Sequence, residues 1–236
     1  AVATTTAPSR PASARRTTIA LKTLMAGSGL VFVGYVLLHM YGNLKTLAGE
    51  EAFNTYAHHL RTFGEPILPY EGLLWIVRVV LIVAVIGHVY AAFALWSRAG
   101  TARRTKYAAA KTAMRTAWMR WGGVFLILFI VWHLLHFTIM KISVNPDAQG
   151  PDIENNPYQL VVASFQVPWM TLIYLLALAA LGLHLAHGVF SAQQTLGLTG
   201  TPAKYRRAKA IGHAVAALVV VGFAIPPLAI LFGLIK

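Results

Sequence analysis

Residues 121–137 read WGGVFLILFIVWHLLHF, an apolar run in which His133 and His136 are the only ionisable side chains. A helix needs about 20 apolar residues to cross the hydrocarbon core of a bilayer. This run and its flanks, residues 118–142, reach that length. Four further segments of the chain do so too: residues 23–44, 72–96, 168–192 and 211–235. The sequence therefore predicts an all-α, polytopic membrane protein with five transmembrane helices.

The composition agrees with a membrane protein. Of the 236 residues, 57% are hydrophobic and 11% are charged, whereas soluble domains carry about 25% charged residues. The net charge of +13 is interpreted as basic loops that meet anionic lipid headgroups, and not as a nucleic-acid surface. The chain has no cysteine, which excludes disulfides, zinc–thiolate sites and an iron–sulfur cluster held by this chain alone.

Charge is distributed unequally between the segments that connect the spans. Residues 97–120 and 199–210 and the N-terminal tail are basic, whereas residues 45–71 and 143–167 are acidic or mixed. The positive-inside rule then places the N-terminus in the cytoplasm and Lys236 on the outside. Residues 1–21 are predicted to be a disordered cytoplasmic tail, and residues 22–236 one five-helix domain. The pair Pro226–Pro227 predicts a kink or break near the end of the last helix.

Four successive spans each contain a deep histidine: His39, His88, His133 and His184. Ionisable groups inside a bilayer are costly, and they usually face protein, water or a ligand. With the predicted topology, His39 and His133 lie toward the outside, and His88 and His184 lie toward the cytoplasm. Each pair comes from two parallel spans, which lie diagonally in a four-helix bundle. Such a bundle suits two bis-histidine haems b, one between each pair of imidazoles.

Further polar side chains lie near these levels. His136 and His187 follow His133 and His184 by three residues and so share nearly the same helix face. Their candidate roles are a bond to a haem propionate, replacement of the first histidine as ligand, quinone chemistry, or a polar contact to a neighbouring helix. Arg78 would either neutralise a propionate or extend toward the surface. Arg120 would either serve the inner haem or anchor its helix at the cytoplasmic side.

Four runs of sequence resemble a known family when they are taken together and in order. They are HMYGNLKTLAGEEAFNTYAHHL, HVYAAFALW, MRWGGVFLILFIVWHLLHF and LHLAHGVFSAQQTLG. They resemble the cytochrome b subunit of bacterial succinate dehydrogenases and fumarate reductases, in its single-chain, five-helix, two-haem form. The resemblance covers about residues 22–235.

The resemblance implies that His39, His88, His133 and His184 are the axial haem ligands, paired as the depth argument pairs them, and that Arg120 matches an arginine of the family. It also implies a membrane-anchor and electron-transfer role in succinate:quinone oxidoreductase, which links the tricarboxylic acid cycle to respiration as complex II. Flavoprotein and iron–sulfur subunits would be the partners, because this chain has no motif for succinate oxidation. Some members carry a glutamate beside the helix-4 ligand, where this chain has Leu181, Gly182, Leu183 and Leu185.

The quinone, menaquinone by the same resemblance, has two candidate sites. The cytoplasmic half of the bundle would offer donors from several helices: Ser28, Arg120, Ser191 and Gln194. The outer end would offer a second group: Arg78, Glu71 and His136. The sequence does not decide between the two faces.

Two other functions remain open from the residues. Histidines of this chain could ligate an iron–sulfur cluster whose thiolates come from a partner subunit. Alternatively, the chain could be a transporter or proton channel that uses membrane histidines, although no inverted repeat or mid-membrane helix break is visible in it.

Overall fold

A computed structural model of the chain describes residues 12–101, 110–149, 153 and 155–236. Within those residues the chain is helical and contains no strand. Its α-helices are α1 (Ala12–Leu44), α2 (Glu50–Thr62), α3 (Gly72–Thr101), α4 (Ala110–His133), α5 (Pro157–Phe165), α6 (Pro168–Thr195) and α7 (Pro202–Leu231). Five of them, α1, α3, α4, α6 and α7, are long and apolar enough to cross a membrane. The predicted class, an all-α multi-pass membrane protein, is confirmed.

The first helix begins earlier than the sequence predicted. It starts at Ala12, inside the stretch 1–21 that was expected to be a disordered tail; residues 1–11 lie outside the described residues. The prolines of the N-terminal region end at Pro11, and Ala and Arg, which favour helices, are frequent in the residues that follow. Leu21 is already buried, so the packed face of α1 begins before the predicted boundary.

The last helix contains the proline pair without ending there. α7 runs through Pro226 and Pro227, both buried, to Leu231, so the predicted break does not occur at the pair. Membrane helices tolerate proline because neighbouring groups and local adjustments satisfy the freed carbonyls. The helix instead ends ahead of Gly233, whose φ of +71° is the left-handed conformation that terminates many helices.

The third span changes its helical type at its end. α4 is followed directly by a π-helical turn, Leu134–Thr138, which contains His136. A π turn inserts an extra residue into the helical repeat, and such turns are frequent at functional sites. This turn therefore changes the direction in which the side chains after His133 point.

Two short helices close one end of the bundle, which is called here the capped end. α2 has Glu50 and Glu51 in its first turn, where the helix dipole favours acidic side chains. Asn54 Nδ2 of α2 donates to Asn156 Oδ1 at 3.0 Å, and the Asn54 Oδ1 accepts from the backbone N of Tyr158 at 3.1 Å. These bonds join α2 to the start of α5. Neither helix was predicted from the sequence.

The long helices form a ring of four with α7 on the outside. α1 packs against α3 and α6, and α6 packs against α4. Trp96 of α3 meets Trp121 of α4, with ring centroids 6.0 Å apart. The order around the ring is therefore α3, α1, α6, α4, so that α1 lies diagonally opposite α4 and α3 opposite α6. α7 packs along α6 and α1. The end at which α3 and α6 finish and α4 and α7 begin is called the basic end.

Candidate functional site

The structure brings the four deep histidines together as two pairs inside the ring of helices. Near the capped end, the rings of His39 and His133 have centroids 5.8 Å apart. Nearer the basic end, the rings of His88 and His184 have centroids 6.1 Å apart. Each pair bridges a diagonal of the ring, α1 to α4 and α3 to α6. These are the pairs that depth in the membrane predicted.

The ring separations fit a shared metal ion. Imidazole nitrogens bind metals at about 2 Å, and the ring centre lies about 1 Å behind the nitrogen, so two imidazoles on one metal have centres about 6 Å apart. Both pairs have this separation before any cofactor is added. Two imidazole donors are a ligand set that would suit haem iron.

Glycines flank the pair nearer the basic end. A Cβ added at Gly29 of α1 would lie 3.4 Å from His88 Cε1, and one added at Gly123 of α4 would lie 3.8 Å from His184 Cε1. The two helices that do not supply these histidines thus approach the rings closely at a glycine, and Ser28 of α1 also lies 3.2 Å from His88 Nδ1. His184 Nδ1 is buried and has no hydrogen-bond partner. The unsatisfied His184 Nδ1 is the polar atom of this pair that lacks a partner among the described residues.

Aromatic side chains surround the pair near the capped end. His39 stacks on Tyr35 with an interplanar angle of 10° and a centroid distance of 5.4 Å. His133 Nδ1 lies 3.1 Å from the hydroxyl of Tyr174, and Phe137 packs 5.5 Å from its ring. These contacts fix the two rings from the sides that do not face each other.

No family model, characterised protein or solved structure matches the chain.

His136 does not join the pair beside it. It is fully buried, and its Nε2 lies 3.1 Å from Ser164 Oγ of α5. This is the polar contact to a neighbouring helix that was one of its four candidate roles. Its Nδ1 and the indole nitrogen of Trp132, one turn earlier, are buried without a hydrogen-bond partner. His187 lies half-buried on α6, one turn beyond His184.

The two arginines of the sequence prediction lie at opposite ends of the bundle. Arg78 forms an ion pair with Glu71 at 3.3 Å, and Arg61 of α2 pairs with the same carboxylate at 3.3 Å. Arg78 also lies over the ring of Trp75, 4.8 Å from its centroid. At the basic end, the guanidinium of Arg120 lies 5.0 Å from the centroid of the Trp96 ring. Both arginines thus combine a cation–π contact with a position near the end of a span.

The four residues predicted to contact a quinone differ in whether their polar groups are available to bind it. Ser28 is buried, and its hydroxyl donates to Leu24 O at 2.7 Å, so its single proton is committed. Ser191 is half-buried and Gln194 is exposed at the end of α6. The neighbouring Gln193 donates to Ala208 O of α7 at 3.2 Å. Gln193 therefore joins α6 to α7, and Gln194 keeps an exposed amide at the basic end.

Proposed function

We propose that this chain is the membrane-anchor cytochrome b subunit of a succinate:quinone oxidoreductase, and that it passes electrons from an iron–sulfur subunit to a membrane quinone. The observation that supports this most directly is that four imidazoles form two pairs at two depths. Each pair has ring centroids about 6 Å apart on a diagonal of the bundle. In this proposal, His39 with His133 and His88 with His184 each hold one haem b.

Haem b supplies a one-electron redox centre when it is bound between two imidazoles. The residues of the chain hold and orient it. The imidazoles come from four different helices, so the packing of the bundle fixes their mutual positions. Aromatic side chains pack against the His39 and His133 rings, and the apolar surroundings of a cofactor are one of the means by which a protein sets a redox potential.

The charge of the chain supports a cytoplasmic partner at the basic end. The start of α7 carries Lys204, Arg206, Arg207 and Lys209, and the residues around the α3–α4 connection carry seven further basic side chains. Such segments face the cytoplasm under the positive-inside rule. They would dock an acidic face of the iron–sulfur subunit, with a flavoprotein beyond it, because complementary charge steers association. The same rule orients the chain with Lys236 outside a bacterial plasma membrane.

Quinone reduction is assigned to the basic end, with menaquinone expected by the family resemblance. Arg120 there has a guanidinium beside the Trp96 ring, so a planar quinone head group would find both a donor and an aromatic surface. At the capped end, Arg78 already shares Glu71 with Arg61, so its charge is partly neutralised. This difference favours Arg120 as the donor to a quinone carbonyl.

Substituting the two arginines separately tests this assignment. We expect Arg120→Ala to raise the quinone KM about ten- to a hundredfold, the equivalent of one hydrogen bond from a charged donor, with both haems retained and succinate still reducing an artificial acceptor. Lys22→Ala, which removes an exposed cation of α1 at the same end, is the control and should leave the KM unchanged. If Arg78→Ala alone raises the KM, quinone binds at the capped end.

The absorption spectrum of the reduced protein tests the cofactor assignment. We expect a sharp haem b α-band, together with co-purification of a flavoprotein and an iron–sulfur protein. A complex that reduces quinone without this band would contradict the haem assignment and would favour an iron–sulfur cluster shared with a partner. Purification without either partner would contradict the anchor role itself.

A further inference from the structure

The direction of the hydrogen bond between Ser28 and His88 follows from the other contacts of the Ser28 hydroxyl. Ser28 Oγ lies 2.7 Å from Leu24 O and 3.3 Å from Met25 O. Both are carbonyl oxygens, which can only accept a hydrogen bond from the hydroxyl. It lies 3.2 Å from His88 Nδ1. A hydroxyl has one proton to donate and two lone pairs to accept with. Because the proton points to the backbone of α1, Ser28 meets His88 as an acceptor.

An acceptor at Nδ1 selects one tautomer of the His88 ring. A neutral imidazole carries its proton on one nitrogen only, and here the hydroxyl of Ser28 keeps that proton on Nδ1. The lone pair is then on Nε2, the nitrogen available to a metal. Gly29, the next residue, lets α1 approach the ring closely, since even a Cβ there would already lie 3.4 Å from His88 Cε1. One turn of α1 thus both orients the ring and accommodates it.

Tyr174 of α6 makes the corresponding contact to the other pair. Its hydroxyl lies 3.1 Å from His133 Nδ1. Its ring is buried and meets the edges or faces of Phe129 and Phe165, each at a centroid distance of 5.0 Å in a near-perpendicular arrangement. The phenylalanines fix the direction of the phenol, so its hydroxyl stays at His133 Nδ1.

α1 and α6 each supply a histidine to one pair and contact a histidine of the other pair. α1 carries His39 of one pair and Ser28, which contacts the other pair; α6 carries His184 and Tyr174 in the same relation. We propose that Ser28 and Tyr174 are positioning residues: Ser28 holds His88 with Nδ1 protonated and Nε2 free, and Tyr174 fixes the orientation of the His133 ring through its hydrogen bond to Nδ1. What Nε2 binds rests on the proposed function, whereas the two contacts to Nδ1 do not.

The experiment uses the full chain, with its partner subunits if they co-purify, labelled with ¹⁵N-histidine and kept reduced. Imidazole ¹⁵N shifts distinguish the two tautomers. In Ser28→Ala we expect the Nδ1–H signal of His88 to shift and to exchange faster with solvent, because Nδ1–H loses its acceptor, and in Ser28→Thr, which keeps the hydroxyl, we expect the signal to return. Tyr174→Phe should change the His133 signal and leave His88 unaltered. The His88 and His133 signals are assigned by their loss in single alanine variants.

A redox titration of the same preparations gives a second readout. Ser28→Ala should shift one of two midpoint potentials and Tyr174→Phe the other, because a partner at Nδ1 tunes the basicity of the ligating ring. If neither the His88 nor the His133 Nδ1 signal changes, or if each variant shifts both transitions equally, the positioning role is wrong. If Ser28→Ala does not accumulate, Ser28→Cys keeps the volume and replaces the hydroxyl by a thiol. A preparation without haem would contradict the proposed function and still leave the tautomers measurable.

Discussion

His88→Ala is expected to reduce the haem content from two per chain to one and to abolish electron transfer from succinate to quinone. Alanine has no nitrogen donor, so His184 alone would remain of the pair nearer the basic end, where the partner subunits are proposed to dock. His39→Ala should likewise remove one haem, with less effect on the entry of electrons. A pyridine haemochrome assay measures the content, and quinone reduction by succinate measures the transfer.

The control for these variants is His213→Ala. His213 is also in a membrane-spanning helix, but it is exposed on α7 and its Nδ1 lies 2.7 Å from Lys209 O. Removing it should change neither haem content nor rate. The assignment of ligands would be wrong if His88→Ala and His39→Ala both kept two haems per chain.

Gly212→Ala is expected to destabilise the bundle more than any other glycine-to-alanine change between α6 and α7. A Cβ at Gly212 would lie 2.6 Å from Ala186 O and 3.4 Å from Phe190 N, and these are backbone atoms that cannot rotate away. The helices would have to separate along their contact, and overpacking of this kind costs about 1–3 kcal/mol. Membrane helices rely on small residues for such close approach. Denaturation in detergent measures the free energy of unfolding.

Gly188→Ala is the matched control, since it places the same methyl group on α6 close to this contact. A Cβ at Gly188 would meet no atom within 4 Å. Alanine is favoured over glycine inside a helix by about 1 kcal/mol, so this variant should be as stable as the parent protein or slightly more stable. Equal stability of the Gly212 and Gly188 variants would mean that α6 and α7 are not held at this distance.

The spans and the histidine pairs could be predicted from the sequence because both depend on local properties. The length of an apolar run determines whether it can cross a bilayer, and basic loops determine its direction. Once direction is known, position along a span gives depth. His39 and His133 therefore fall at one level, and His88 and His184 at another, without any knowledge of packing.

Contacts between distant segments could not be predicted in this way. α2 and α5 are short and lie in connections of mixed polarity, and they are joined by bonds such as that from Asn54 to Asn156, 102 residues apart. Tyr174 is ten residues before His184 on the same helix, yet it serves His133 through an aromatic cluster that only the tertiary structure assembles. Ser28 was expected near a quinone for its polarity alone. Its hydrogen bonds show that its proton is already used.

α1 and α6, each of which contacts both histidine pairs, also fix the distance between the two pairs. Eleven residues separate Ser28 from His39 on α1, and ten separate Tyr174 from His184 on α6. At 1.5 Å per residue these intervals are about 16 Å and about 15 Å, measured along antiparallel helices. The two intervals are thus nearly equal in length and run in opposite directions along α1 and α6. A single residue inserted between the two positions on either helix would displace its contact at one histidine pair by about 1.5 Å and rotate it by about 100°. Moving the whole helix could not correct this displacement, because the same helix also contacts the other pair.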